Sequence, residues 1–451
     1  MKVSYLRSVA CAVLALAASS AWAEDAKASQ FKFEFHGFVG GSVFAQDAKF
    51  DNWGQNVTQV AATPNADRFT FGGDARQTRL NLSLSGPKAF GATPTAVVEL
   101  DFLGGNAAGG TFSNIAVTPR LRLAYAQLKW SDTVLIIGQN SDLIQGGIAP
   151  TSVGHIPTNL GYNHGYIGNR HTGIFAFQTI PVVPDYKLEL AVQVSRPQWS
   201  DVILGGTTAG DPNSNMSLAE ASGLPAVEAR VKLLSKIFTG YVGGHWNRVD
   251  MSGSGVSPSA SGTCPAPVRG AAAASPTNSG SSCNDRDVMA FNGGFKFNYA
   301  GITAQGTAYL GKNVAPLNAG IAQFQGANVG DLHSWGAWGQ LGYDVTPELS
   351  LWYFAGIERL QPREVLRAQE VNGFGTNAGT ATVPGTPVVG KFRNVAMSGM
   401  IRYMDAGYAI GFEYTHFWTA YTAPPSSLSA TRSPNGDLEG NQYMLSGFYF
   451  F

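Results

Sequence analysis

The chain has 451 residues, of which only 13% are charged and 55 are glycine. Lysine and arginine balance aspartate and glutamate at 30 each, so no basic surplus indicates nucleic acid as a partner. Outside the N-terminus no apolar run reaches the roughly 18 residues of a membrane-spanning helix, which excludes helical spans. Polar and apolar residues are instead finely mixed, as in strands that show one face to lipid and the other to water.

The first 23 residues have the pattern of a secretory signal peptide. Lys2 and Arg7 form a charged start, residues 8–18 form a short apolar core, and "AWA" at 21–23 fits the small-x-small cleavage rule. We expect cleavage after this tripeptide, which leaves residues 24–451 as a single exported domain.

Two-residue periodicity, which predicts β-strands, recurs along the rest of the chain. In "RLNLSLS" the leucines alternate with polar residues, and "YKLELAVQVS" shows the same alternation. About sixteen such segments are predicted, near 31–39, 76–85, 95–103, 119–125, 133–140, 168–178, 186–195, 226–234, 238–249, 287–298, 301–311, 333–344, 348–359, 392–404, 407–418 and 440–451. Their connections alternate between short and long, which is typical of an up-and-down antiparallel barrel with tight turns at one end.

The final segment, "YMLSGFYFF", keeps the strand pattern to the last residue. In lipid an open sheet edge would leave backbone groups without hydrogen-bond partners, so a transmembrane sheet has to close. We therefore predict that residues 440–451 pair with the first strand. A soluble sandwich is disfavoured because the inward faces carry charges and aromatic residues gather at strand ends. The predicted fold is an all-β, 16-stranded antiparallel transmembrane barrel.

Such a barrel encloses an aqueous channel lined by one parity of every strand. That parity brings three arginines near two carboxylates on the strand between them. The strand residues predicted to line the pore are Arg79, Glu99, Asp101, Arg120, Arg122, Lys187, Arg230 and Lys232. These charges either set up a field that favours small anionic solutes or only hydrate the wall and pair across strands.

The third long connection, at 141–169, is rich in glycine and carries Leu143, Ile144 and further apolar residues. This composition fits a loop folded into the lumen, with Asp142 and His155 lining the opening. An outer loop or a contact between subunits is the alternative.

No catalytic residue, metal site or cofactor is predicted. His416 has outward parity, but no outward serine on the neighbouring strands completes the Ser–His pair of an outer-membrane phospholipase. Cys264 and Cys283 lie in a stretch rich in glycine, serine and proline, and in an exported chain they indicate a disulfide. Closing a loop of about 18 residues would contribute about 3 kcal/mol of stability.

With its N-terminal segment, alternating loops and terminal Phe451, the chain resembles a Gram-negative outer-membrane porin. In that family terminal aromatic residues at alternate positions are recognised by the barrel-assembly machinery, and Tyr443, Tyr449 and Phe451 match them. The resemblance implies a homotrimer in the bacterial outer membrane, surrounded by lipid and lipopolysaccharide, that passes small polar or anionic solutes.

A narrower resemblance is carried by "RLRLAYAQL" (120–128) followed by "GQ" (138–139). This segment is similar to one in DcaP-like porins, which are trimeric and favour small anionic substrates. The alternative function is an outer-membrane adhesin or structural receptor that acts through its long extracellular loops.

Overall fold

A computed structural model describes residues 31–51, 57–61, 68–104, 118–156, 159–198, 217–249, 285–323, 331–365, 390–421 and 437–451. The predicted signal peptide and the predicted Cys264–Cys283 disulfide lie outside these residues. The described residues form seventeen strands: β1 (Lys32–Gln46), β2 (Thr70–Asp74), β3 (Arg79–Ser85), β4 (Thr93–Gly104), β5 (Thr118–Lys129), β6 (Thr133–Ser141), β7 (Arg170–Val183), β8 (Tyr186–Ser195), β9 (Ala226–Leu234), β10 (Phe238–Val249), β11 (Arg286–Tyr299), β12 (Ile302–Lys312), β13 (His333–Asp344), β14 (Leu349–Leu360), β15 (Lys391–Asp405), β16 (Tyr408–Tyr421) and β17 (Asp437–Phe450).

The connections carry little regular structure. Short α-helices occur at α1 (Leu218–Ala221) and α2 (362–365), and single 3-10 turns occur at Leu143–Gln145, Ala315–Leu317 and Gly320–Ala322. No helix among the described residues is long and apolar enough to cross a membrane.

The first and last strands close the sheet. β1 and β17 pair antiparallel from Phe38 opposite Phe450 to Gln46 opposite Gln442. Gly37 and the terminal Phe451 exchange two backbone hydrogen bonds of 3.0 and 3.1 Å. The prediction of a closed antiparallel barrel whose last residues form the seam is confirmed.

The seventeen segments make sixteen strands around the barrel because β2 and β3 are one interrupted strand. Both pair with β1, β2 along its second half and β3 along its first half. At the break, Arg76 forms an ion pair of 2.6 Å with Asp74, and Gln77 donates to Ser42 at 2.9 Å. The strand therefore starts earlier than predicted, and its break is held by local side-chain contacts that periodicity does not reveal.

The strands have an apolar outer face and a buried inner face. On β16, Ile410 and Phe412 are exposed, whereas Glu413 and Thr415 are 1% exposed. On β17, Tyr443 and Tyr449 lie on the outer face, where they contact aromatic rings of β16. An outer face that exposes apolar and aromatic side chains on its strands suits contact with lipid rather than with water.

The largest described hydrophobic core lies inside the barrel, between loops and the inner wall. The first loop (47–69) and the third loop (142–169) supply part of it. They pack against inward aromatic side chains of β10, β13, β14 and β16. Its members are Ala48, Phe50, Val57, Val60, Ile148, Leu160, Tyr166, Tyr241, Trp338, Phe354, Ala396 and Phe417. The lumen is therefore partly filled by the chain's own loops.

Candidate functional site in the barrel lumen

The third loop lies against the inner wall, and three buried wall carboxylates accept hydrogen bonds from it. Glu228 on β9 accepts from the Ile144 N–H at 2.9 Å. Glu413 on β16 accepts from the Ser152 hydroxyl at 2.6 Å. Glu358 on β14 accepts from the Gly165 N–H at 3.4 Å. Hydrogen bonds to a carboxylate are stronger than those between neutral groups, so these contacts hold the loop firmly in place.

Glu358 joins the third loop, the sixth loop (313–332) and the wall. Its carboxylate accepts from the Tyr309 hydroxyl at 2.6 Å, from the Ile321 N–H at 2.8 Å and from the Gly165 N–H at 3.4 Å. Ile321 has a φ of 49°, a left-handed conformation that a β-branched residue rarely adopts. The hydrogen bond to Glu358 helps to hold the sixth loop in this conformation.

Two glycines allow the third loop to lie directly on the wall. Gly146 has a φ of 65°, and a Cβ atom there would lie 2.0 Å from the ring of Tyr241. Gly165 has a φ of 105°, and a Cβ atom there would lie 2.3 Å from the backbone nitrogen of Ala337. A side chain at either position would therefore move the loop away from the wall.

The start of the third loop is fixed by a hydrogen bond between a carboxylate and a histidine ring. Asp142 is 2% exposed, and its carboxylate lies 2.7 Å from Nδ1 of His171. Burial acts to raise the pKa of Asp142, but His171 and the Asn169 N–H outweigh it and lower the pKa. Arg230 donates to the Leu143 carbonyl at 3.1 Å. Asp142 and Arg230 thus anchor the loop.

On β3, β4 and β5 the predicted pore-lining charges come together. Arg120 donates to both oxygens of Asp101, at 2.9 and 2.6 Å. Arg122 bridges Glu99 at 2.7 Å and Asp101 at 2.9 Å. Arg79 lies 3.6 Å from Glu99. We call these five residues the arginine cluster.

The arginine cluster has an excess of positive charge. Its three arginines face two carboxylates, and Arg170 at the start of β7 is close enough to Arg120 and Arg122 to interact electrostatically with both. The side chains of Arg79 and Arg120 are 21% and 34% exposed, so their charge reaches the lumen. In a narrowed aqueous channel such an excess lowers the energy of an anion relative to that of a cation.

The arginine cluster lies on a part of the wall that the described loop cores do not include. In the part of the chain that the structure describes, no residue of β3 or β4 belongs to the core formed by the loops. Tyr162 of the third loop is close enough to Arg122 and Arg170 to interact electrostatically with them. The arginine cluster therefore lies near the third loop, on a part of the wall whose strands β3 and β4 contribute nothing to the described loop cores.

The other predicted pore-lining residues have different surroundings. Lys187 is exposed near the turn end of β8, and Lys232 is partly buried on β9. Arg230 is 9% exposed and pairs with Glu189 at 2.7 Å. His155 and Asp142 are 1% and 2% exposed. Both were predicted to line the opening of the lumen, but their side chains are buried. Packing of the third loop against the wall, which local sequence does not report, covers both.

His164 of the third loop is buried in a neutral form. Its Nδ1 lies 2.8 Å from the Leu160 carbonyl oxygen, and the Asn394 amide donates to Nε2 at 2.9 Å. Burial lowers the pKa of His164 to about 3. An unfolded chain has a histidine pKa of about 6.5. Protonation would therefore disturb the site where the third loop meets β15.

We expect His164 to make stability depend on pH. As the pH falls from about 6.5 toward about 3, the unfolded chain takes up a proton that folded His164 excludes. The free energy of unfolding then falls by roughly 1.4 kcal/mol per pH unit within this window. Urea unfolding in detergent at neutral and at mildly acidic pH measures the slope, which His164→Gln should reduce. Equal slopes for the two proteins would contradict this assignment.

The outward His416 is part of a polar group near the loop end of the barrel. Its Nδ1 lies 2.6 Å from the Asn441 side-chain oxygen, and its ring contacts Trp418. Within the described ranges, no group of three or more His, Cys, Asp or Glu side chains is placed to hold a metal ion.

Sequence reasoning missed the inward first and sixth loops, the wall carboxylates and Arg170. One available signal was the presence of three large aromatic residues with inward parity on β13 and β14, namely Trp338, Trp352 and Phe354. Strands with apolar residues on both faces are covered on both faces. This pattern could have predicted a packed loop inside this part of the barrel.

Comparison with known proteins finds likeness in structure. No family model matches the chain, and no curated protein matches its sequence. The outer-membrane channel DcaP of Acinetobacter baumannii superposes with a TM-score of 0.60 at 13% identity, covering 94% of this chain and 98% of that one. An anion-selective porin from Comamonas acidovorans superposes with a TM-score of 0.55 at 9% identity, covering 94% and 100%. The chain therefore has the barrel fold of these outer-membrane channels.

Proposed function

We propose that this protein is an outer-membrane porin, a water-filled channel for passive diffusion of small polar solutes with a preference for anions. The observation that carries the proposal is the arginine cluster, whose positive excess lies on the inner wall of a barrel whose lumen is partly filled by its own loops. The apolar outer face of the barrel supports its placement in a lipid bilayer. The fold that it shares with DcaP and with an anion-selective porin supports the same reading.

Further features belong to this proposal through the family resemblance. The chain would be exported by its signal peptide, with Tyr443, Tyr449 and Phe451 recognised during assembly. It would form a homotrimer surrounded by lipid and lipopolysaccharide, with its long loops on the extracellular side. It would not be an enzyme, since transport through a channel requires no chemical step.

Recordings from planar lipid bilayers test the function. The purified protein should insert as open channels whose conductance closes in three equal steps, as expected for a trimer of pores. In a salt gradient the reversal potential should have the sign of an anion-selective pore. A folded barrel that inserts but does not conduct would contradict the proposal and favour the adhesin. Liposome swelling with sugars, amino acids and dicarboxylates would then rank the solutes that pass.

A further inference from the structure

Three hairpins at the turn end share one backbone conformation. Each has two central residues with positive φ between a pair of bridged neighbours. Their central residues are Phe90-Gly91, Ala300-Gly301 and Ala406-Gly407. This turn type favours asparagine, aspartate or glycine at its first central position, because a left-handed conformation strains other side chains. An alanine or a phenylalanine there is therefore a poor local choice.

Phe90 is the least suited of the three. Its φ is 53°, and its side chain is 89% exposed. The left-handed conformation strains a non-glycine residue, and a phenyl ring exposed to water contributes nothing that offsets this strain. The chain thus holds a large apolar ring in a strained position and outside its own core. Residues that break a local rule in this way often serve a contact that the isolated chain lacks.

Apolar and aromatic groups surround this turn. Phe31, which is 49% exposed, lies against Gly86 just before the turn, and Leu84 is 40% exposed on the outer face of β3. At the neighbouring turn, the indole N–H of Trp130 donates to the Phe90 carbonyl at 3.1 Å. Apolar side chains of the outer wall therefore reach the base of this turn, where Lys88 is also exposed, and tryptophan beside the turn is typical of the boundary between lipid and water.

We propose that Phe90 inserts into the headgroup–acyl boundary of the bilayer at the turn end and anchors the β3–β4 hairpin there. The occupant of this surface is lipid, because apolar side chains of the outer wall reach this turn and a tryptophan is hydrogen-bonded to its backbone. The inference rests on the proposed membrane location and adds a specific anchor to it. Transfer of the ring from water to lipid offsets the strain of its backbone.

Fluorescence quenching in bilayers tests the position. The full-length mature protein carrying Phe90→Trp is reconstituted into vesicles of phosphatidylcholine brominated at a shallow or a deep acyl carbon. After subtraction of the wild-type signal, the added tryptophan should lose at least half its emission to the shallow bromines and less to the deep ones. Emission that aqueous iodide quenches and bromines do not would overturn the proposal. Shielding from both quenchers would also overturn it and assign the turn to a contact between copies.

A control separates this inference from the proposed function. Val98 lies in the middle of β4 on the outer face and is 41% exposed. Val98→Trp should be quenched most by the deep bromines if the barrel spans the bilayer. If Val98→Trp is quenched and Phe90→Trp is not, only the anchor fails. If neither is quenched, the membrane location fails as well.

Asparagine substitutions test the energetics through the sign of their effect. Ala300→Asn relieves the same backbone strain without removing a ring, so it should raise the urea midpoint in vesicles. Phe90→Asn gains the same relief but loses the ring from lipid, so its midpoint should fall. Phe90→Ala loses the ring and keeps the backbone strain, so its urea midpoint should fall further than that of Phe90→Asn. If Phe90→Asn raises the midpoint as Ala300→Asn does, the ring has no partner and the proposal is wrong.

Discussion

Replacing Arg79 and Arg120 together with glutamine is expected to remove most of the preference for anions. Arg122 already bridges Glu99 and Asp101, so both carboxylates keep a partner in the double variant. An anion about 4 Å from a positive unit charge in water is stabilised by about 1 kcal/mol of Coulomb energy, and dissolved salt screens part of this stabilisation. Removal of two charges should therefore lower the anion-to-cation permeability ratio by about tenfold. The reversal potential in a salt gradient measures this ratio.

The matched control changes the same net charge outside the lumen. Lys88 is exposed at the β3–β4 turn, and Lys236, whose side chain is 82% exposed, lies at the β9–β10 turn. Lys88→Gln with Lys236→Gln should leave the reversal potential close to that of the wild type. If the arginine variant folds and conducts with an unchanged reversal potential, the arginine cluster does not set selectivity.

Replacing Glu358 with alanine is expected to release the third and sixth loops from the wall. The change leaves the Tyr309 hydroxyl and the N–H groups of Ile321 and Gly165 buried without their acceptor. Each unpaired buried donor costs about 1 to 3 kcal/mol, so the loss of one acceptor for three donors should lower the free energy of unfolding by about 3 to 9 kcal/mol. Single channels should then become larger and noisier, because the loops that narrow the lumen are no longer fixed.

Two comparisons make this test specific. Glu358→Gln keeps one carbonyl oxygen as an acceptor, so both its stability and its channel noise should lie between those of the wild type and the alanine variant. Glu348→Ala removes a carboxylate at the turn end, where its partner is the nearby Thr346 hydroxyl. It should change neither property much. Quiet, wild-type conductance from Glu358→Ala would show that other contacts hold the loops.

The barrel could be predicted from sequence because each strand carries its own evidence. Alternation along "YKLELAVQVS" identifies β8 without reference to the rest of the chain. The seam followed from one further physical condition, that lipid leaves no sheet edge unpaired. Arg79, Arg120 and Arg122 could be nominated for the same reason, since side-chain parity and strand order alone bring them together.

The interior could not be predicted in this way because its contacts join distant parts of the chain. Gly165 and Ile321 meet at Glu358, and no local pattern near any of the three indicates the others. For the same reason His155, a polar residue in a glycine-rich loop, was expected to face water but is buried. Local sequence patterns therefore predict the strands of the barrel wall but not the contacts that the loops make inside the barrel.

The core inside the barrel has a consequence for the order in which the protein matures. Phe50 packs on Phe417, and the Val60 N–H donates to Thr419, which is 359 positions further along the chain. Contacts between such remote segments form slowly, because a very long stretch has to be brought together first. The first loop therefore cannot reach its final position until β16 has folded, and it lacks these core contacts while the earlier strands pair. Time-resolved hydrogen exchange should show the amide of Val60 gaining protection later than the amides of the early hairpins.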